Sequence, residues 1–201
     1  MNFEFAEEIN SSLENLDFES ALKIAECKLN EISYTEFHEI LKISILNQCH
    51  MLLNWIEEFY QLATQKFQVK ALYFEMNEFD INTDIWYIDA FAYEKDGGLV
   101  DNMNWLSYFN TDSQEETNSV FEIKELDKLQ IAFSRIDEKE ENGEWSDEEQ
   151  NSRDWCEQLI LIHFMQLIGK THLKAKEKNL KWGEIPIYFT EHAYNFIVKS
   201  N

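Results

Sequence analysis

The spacing of hydrophobic positions divides the chain into helical and alternating regions. Residues 3–16 carry apolar side chains at helical intervals, and Asp17 can cap a second helix of the same kind. A longer helical pattern covers residues 34–65, either as one helix or with a break near 47–50. Residues 1–66 are therefore predicted to form a helical N-terminal portion.

The hydrophobic period then shortens to two residues, as in β-strands. Residues 69–76 and 85–93 alternate in this way, and Lys95-Asp-Gly-Gly98 offers the glycines that a tight turn needs. A third strand is expected at about 99–109. In the second strand, Trp86 should face the core and Asp89 the opposite side. Residues 67–123 are thus predicted to form an antiparallel β-meander.

Helical spacing returns in the last part of the chain. A helix is expected over about 124–139, followed by a longer one over about 147–178 whose centre, 159–168, is apolar on all sides. A helix of that kind is usually buried. A short strand near 185–189 and a last helix from Thr190 complete a mainly helical portion.

These elements predict one α+β domain over residues 1–201. Its N-terminal helices and the long buried helix of its C-terminal half should pack on an antiparallel meander of three to four strands. The portions 1–66, 67–123 and 124–201 are expected to share that domain, because no linker separates them.

Charge narrows the choice of partner. The chain has 39 acidic and 17 basic residues, a net charge of −22. Residues 67–123 hold 12 acids and only two bases, whereas residues 158–201 have a small positive excess. Such a field repels nucleic acid and anionic membranes and attracts basic proteins. The expected partner is a basic protein, and neither nucleic acid nor a membrane.

The cellular location is predicted from the targeting and membrane signals that are not recognisable in the sequence. No signal peptide is recognisable, and no apolar run approaches the roughly 20 residues of a membrane helix. Cys27, Cys49 and Cys156 are too scattered for a disulfide framework. A cytoplasmic protein with reduced thiols is expected.

The residues offer no recognisable catalytic, metal or cofactor motif. None of the histidine pairs within a helix has the spacing of a shared metal face, and His192 is expected at the surface near a helix start. Asp80, Asn82 and Asp84 imitate the start of a calcium loop but lack its glycine and closing glutamate. We therefore expect no cofactor, no metal and no enzymatic activity. Asp89 is the acid that best suits a hydrolase.

Aromatic side chains among acids are typical of protein-binding surfaces, in which anchors are surrounded by a charged rim. In this chain they concentrate in the predicted meander and the loop after it. The residues predicted to bind a partner are Asp80, Asp84, Asp96, Asp101, Trp105, Tyr108, Asp112, Glu115 and Glu116.

The leading interpretation is an acidic protein-binding module that neutralises or regulates a basic protein, as a bacterial toxin-immunity protein does for a nuclease-type toxin. One alternative is a non-catalytic scaffold or regulatory protein whose acidity keeps it soluble. A second is a hydrolase that uses acidic residues. The oligomeric state is left open by the sequence.

Overall fold

The computed structural model describes residues 3–79, 82–100, 102–192, 194 and 196–201. The α-helices are α1 (Phe3–Glu14), α2 (Phe18–Asn30), α3 (Cys49–Lys66), α4 (Ser113–Thr117), α5 (Asp127–Asn142) and α6 (Asp147–Glu177). The strands are β1 (Ala71–Met76), β2 (Tyr87–Tyr93), β3 (Thr111–Asp112), β4 (Phe121–Glu122), β5 (Ile187–Glu191) and β6 (Val198–Ser200). Short 3₁₀ segments are Glu36–Lys42, Ile45–Gln48, Asn104–Ser107 and Lys181–Glu184. The fold is α+β, as predicted.

The sheet is mixed, so the prediction of a purely antiparallel meander is wrong. In the described part of the chain six strands follow the order β3-β2-β1-β5-β6, with β4 also paired to β2. β1 is antiparallel to β2 and parallel to β5, which comes much later in the chain. Alternating hydrophobicity identifies a strand but not its neighbour or its direction, so the parallel pairing was not predictable from the pattern.

The third predicted strand, at 99–109, is not found in the described residues of that range, which contain the 3₁₀ segment Asn104–Ser107. Trp105 and Leu106 turn onto the face of the sheet, and the Tyr93 hydroxyl donates to the Leu106 carbonyl at 2.7 Å. The outer edge of β2 is instead paired by β3 and β4, two residues each.

The last predicted helix is also replaced by sheet. Thr190 does not cap a helix: its hydroxyl donates to the Phe196 carbonyl at 2.6 Å, within the connection between β5 and β6. Of the two alternatives for residues 34–65, the structure has the broken one, since two 3₁₀ segments precede α3.

The main core lies between the helices and one face of the sheet. α6 is buried continuously from Ser152 to Ile168, as its apolar run predicts, and Ser146 and Glu149 form the capping box at its start. Trp86 is fully buried on the core side. In the described part of the chain, no helix combines the length and apolarity that crossing a bilayer requires.

Alternation along the strands points every second side chain to the opposite side of the sheet, which we call the outer face. Ala71, Tyr73, Tyr93 and Tyr188 form a small separate cluster there. Residues 94–100 and 102–110, which we call the cover loop, place Met103, Trp105 and Leu106 on this cluster and close one half of the outer face. The other half is open.

Candidate functional site

The cover loop is held on the sheet by an aromatic anchor. The Trp105 ring lies edge-on to Tyr93 and Tyr188, with centroid separations of 4.9 and 5.2 Å. Its indole N–H donates to the Gly98 carbonyl at 3.0 Å. A Cβ on Gly97 would lie 2.4 Å from that ring, so the close approach requires glycine.

The open half of the outer face contains a cavity of about 500 Å³, which we call the acidic cavity. It lies between the C-terminal end of β1, the start of β2 and the end of β5. Its lining consists of acids, amides, one histidine and two apolar or aromatic side chains: Glu75, Glu78, Asp84, Asp89, Asn77, Asn82, His192, Ile85 and Tyr87.

Two of these acids face each other across neighbouring strands. Glu75 and Asp89 are register partners on the same side of β1 and β2. Burial raises the pKa of the Asp89 carboxyl, and the charges of Asp112 and Glu75 add to that rise, while hydrogen bonds from Gln114 and Ser113 oppose it. Like charges in directly opposed positions destabilise a sheet. The pair therefore has no folding advantage of its own.

Glu75 is held from both sides. The Tyr73 hydroxyl donates to its Oε2 at 2.5 Å, and the His192 Nδ1 lies 2.9 Å from its Oε1. The parallel pairing of β1 and β5 continues to this point, where the His192 N–H donates to the Met76 carbonyl. The hydrogen bond to Glu75 raises the pKa of the His192 imidazole, as do the charges of Glu75 and Glu78.

A second, more aromatic cavity adjoins the first at Glu75. It has a volume of about 310 Å³ and is lined by Tyr73, Glu75, Phe91, Leu106, Ser107 and Phe109. Phe109, at the end of the cover loop, is exposed to 42% and lies 4.9 Å from the Phe91 ring. The two cavities together place aromatic surface beside negative charge.

No lysine or arginine lies among the described residues that line these two cavities. Many of the lysines and arginines form ion pairs elsewhere in the structure. Examples are Lys66 with Glu116, Lys139 with Glu149 and Arg135 with Glu36. The charge of the acidic cavity is thus compensated within the described structure only by His192, and only when that imidazole is protonated.

The predicted binding residues lie in three places on the outer face and its edge. Asp84 lines the acidic cavity and is exposed. Asp96, Trp105 and Tyr108 line a cavity under the cover loop, where Tyr108 is the most exposed aromatic, at 79%. Asp80 and Asp101 lie outside the described residues.

Asp96 is occupied by structural hydrogen bonds. Its Oδ1 accepts from the Tyr188 hydroxyl at 2.5 Å and from the Gly98 N–H at 2.9 Å. It therefore shapes the cover loop while remaining exposed.

The other three predicted residues, Asp112, Glu115 and Glu116, lie at the outer edge of β2. Asp112 caps α4 by accepting from the Glu115 N–H at 2.8 Å. Glu115 and Glu116 both form ion pairs with Lys66, at 3.0 and 2.6 Å. Their charges are partly compensated, in contrast to those of the acidic cavity.

The sequence analysis did not assign four of the cavity residues to any site. They are Glu75, Glu78, Tyr87 and His192. Glu75 and Tyr87 each follow the strand alternation, but their meeting depends on the register of β1 with β2. His192 reaches Glu75 only through the parallel pairing of β5. Strand register and long-range pairing are not encoded in a local period.

The remaining histidines of interest lie in the core. Burial lowers the pKa of both His163 and His172 to about 4, so both are neutral near pH 7. His172 bonds the Ser200 hydroxyl at 2.8 Å and stacks on Trp182. Within the residues that the structure describes, no group of three or more His, Cys, Asp or Glu side chains is arranged to hold a metal ion.

Comparisons with protein-family models, with curated proteins and with solved structures find no match to this chain. The functional argument therefore depends on the geometry of the outer face alone.

Proposed function

We propose that the protein binds a basic protein partner on its outer face, and that the acidic cavity receives lysine or arginine side chains of that partner. One observation carries the proposal. Glu75, Glu78, Asp84 and Asp89 line a cavity that no lysine or arginine of the described residues enters. A partner's cation would relieve the repulsion between Glu75 and Asp89 as it binds.

The surroundings of the cavity favour a protein partner over a free cation. Tyr87 in its wall can contact a cationic side chain through its ring, and Phe91 and Phe109 offer apolar contact beside it. Aromatic anchors with a charged rim are what a protein interface needs for affinity and for steering.

A toxin that acts on nucleic acid is the class of partner that suits this chemistry. Such a toxin is basic where it binds its substrate, so an acidic inhibitor associates with it rapidly and covers its active site. The protein would then serve as a bacterial immunity protein in the cytoplasm.

The first test uses a defined cation. A short capped peptide alternating arginine with glycine should bind at low salt, whereas the same peptide with citrulline in place of arginine should not, because citrulline keeps the shape and loses the charge. Isothermal titration calorimetry measures both. Binding of the two peptides with equal affinity would contradict the proposal.

Paired charge reversals then locate the site. Glu78→Lys with Asp84→Lys changes the acidic cavity, and Glu140→Lys with Glu141→Lys makes the same change of charge on the exposed end of α5. We expect the cavity variant to weaken peptide binding about tenfold or more and the α5 variant about twofold. Equal effects would mean that only net charge matters, as in a scaffold whose acidity serves solubility.

One observation favours a second candidate, an acid–base enzyme. The pKa of Asp89 is raised and a second carboxylate stands beside it in a cavity, as general acid catalysis requires. The test is to assay the protein with a panel of nitrophenyl glycosides and esters. Hydrolysis that is abolished in Asp89→Asn, while this variant still binds the peptide as the unmodified protein does, would support this candidate over the first.

A further inference from the structure

His192 is the one side chain lining the acidic cavity, among the described residues, that gains a positive charge by protonation. Its imidazole is exposed to 58%, and its Nδ1 lies 2.9 Å from Glu75 Oε1. Since the Tyr73 hydroxyl occupies Oε2, both oxygens of Glu75 have partners inside the protein. A cation from outside must therefore compete for Glu75.

We propose that His192 is an internal counter-ion that competes with the partner's cation for Glu75, so that partner binding weakens as the pH falls and His192 takes up a proton. This inference rests on the proposed function, because it concerns the regulation of the same cavity.

Charge decides the competition. With His192 neutral, the cavity presents Glu75 as an uncompensated anion to an incoming arginine. With His192 protonated, the Glu75–His192 pair is neutral and the imidazolium repels the arginine. Since the hydrogen bond to Glu75 raises the pKa of His192, the change of charge occurs at a higher pH than for an isolated histidine.

Besides His192, the titratable side chains among the described residues that line the cavity are all acids or a phenol. Glu75 and Glu78 come from β1 and the residues after it, and Asp84, Tyr87 and Asp89 from β2 and the turn before it. Because the pKa of Asp89 is raised, its protonation would also weaken cation binding in acid. A variant at position 192 that keeps Asp89 separates the two effects.

Competition is reciprocal. If protonation of His192 weakens the binding of a cation, the bound cation must lower the pKa of His192 by the same free energy. A purely structural role of the Glu75–His192 pair would not produce this linkage.

The test is the affinity of the arginine–glycine peptide at about pH 6 and about pH 8, at constant low ionic strength. For the unmodified protein we expect the dissociation constant to be about fivefold larger at the lower pH. In His192→Gln the ratio should fall to about twofold or less, with the tighter affinity retained at both pH values. His50→Gln, on the exposed side of α3, is the matched control and should keep the full ratio.

The outcomes separate the two proposals. A peptide that binds with the same pH dependence in the unmodified protein and in His192→Gln would overturn the role of His192 and leave the proposed function intact. Absence of binding at both pH values would overturn the proposed function and this inference with it.

Discussion

Glu75 and Asp89 are opposed in the middle of the sheet, where two carboxylates repel each other. Asp89 accepts hydrogen bonds from the Ser113 hydroxyl and the Gln114 amide, at 3.3 and 3.1 Å to its Oδ1. An asparagine could keep a carbonyl oxygen in that position without the charge. If the proposed function is right, aspartate at this position serves binding at a cost in stability.

Replacing Asp89 by asparagine should stabilise the protein while weakening its binding. We expect Asp89→Asn to raise the free energy of unfolding at pH 7 by about 0.5 kcal/mol, because the repulsion from Glu75 is removed. Urea unfolding followed by circular dichroism measures this change. The same variant should bind the arginine–glycine peptide several-fold more weakly.

Asp89→Ala serves as the control, since it removes both the charge and the hydrogen-bond acceptor. Ser113 and Gln114 then lose their partner, so this variant should be less stable than Asp89→Asn. If Asp89→Asn were instead markedly less stable than the unmodified protein, the charge of Asp89 would be needed to hold α4 in place, which would contradict this prediction.

At the same scale, the alternation of β2 predicted correctly which side Asp89 and Trp86 occupy. It did not predict Glu75 as the neighbour of Asp89, because a partner across a sheet depends on pairing register. The sequence does not show whether an aspartate or glutamate on a strand faces water or another acid.

Among the elements, α4 shows how a predicted binding residue can have a structural role. Asp112 lies at its N-cap, and the helix is only five residues long, so it depends strongly on that cap. Ser113 in its first turn accepts a hydrogen bond from the Ala90 N–H at 3.1 Å, which ties α4 to β2.

Loss of the cap should loosen α4 without unfolding the sheet. We expect Asp112→Ala to cost about 1 kcal/mol and Asp112→Asn much less, because asparagine also caps well. Hydrogen exchange of the Glu115 amide, which donates to Asp112, should accelerate in the alanine variant alone. Equal exchange in both variants would show that charge, and not capping, holds the helix.

The helices longer than α4 and the first two strands could be predicted because each carries its own period, whereas α4 lies in a segment predicted to be a loop. α6 combines an apolar centre with a capping box at Ser146, and both signals are local. β3, β4 and β6 are only two or three residues long, too short for any period to be visible. Such strands form because β2 and β5 offer an edge, which is a property of the tertiary fold.

Across the whole molecule, acidic and basic side chains are concentrated in different regions. The C-terminal end of α6 carries Lys170 and Lys174, and Lys178 is its C-cap residue. None of the three forms an ion pair with a described residue. These lysines offset the negative end of the helix dipole. They do not line the acidic cavity, whose charge the proposed partner would compensate.

The distribution of charge also explains why the residues of the acidic cavity could be predicted only in part from the sequence. Counting charges places the largest acidic excess in residues 67–123, which contribute most of the lining of the acidic cavity. Counting could not show that Glu115 and Glu116 are paired with Lys66, while no lysine or arginine among the described residues lines the cavity that holds Glu78 and Asp84. That distinction depends on where the tertiary fold places each acid.

The most direct test is to map where a basic ligand binds. The arginine–glycine peptide is titrated at low salt into ¹⁵N-labelled protein, and the backbone amide shifts are followed by NMR. The largest changes should fall on Glu75, Glu78, Asp84 to Asp89 and His192, and should vanish at high salt as the charges are screened. Changes confined to α1, α2 or α5, with the amides of the acidic cavity unmoved, would contradict binding on the outer face.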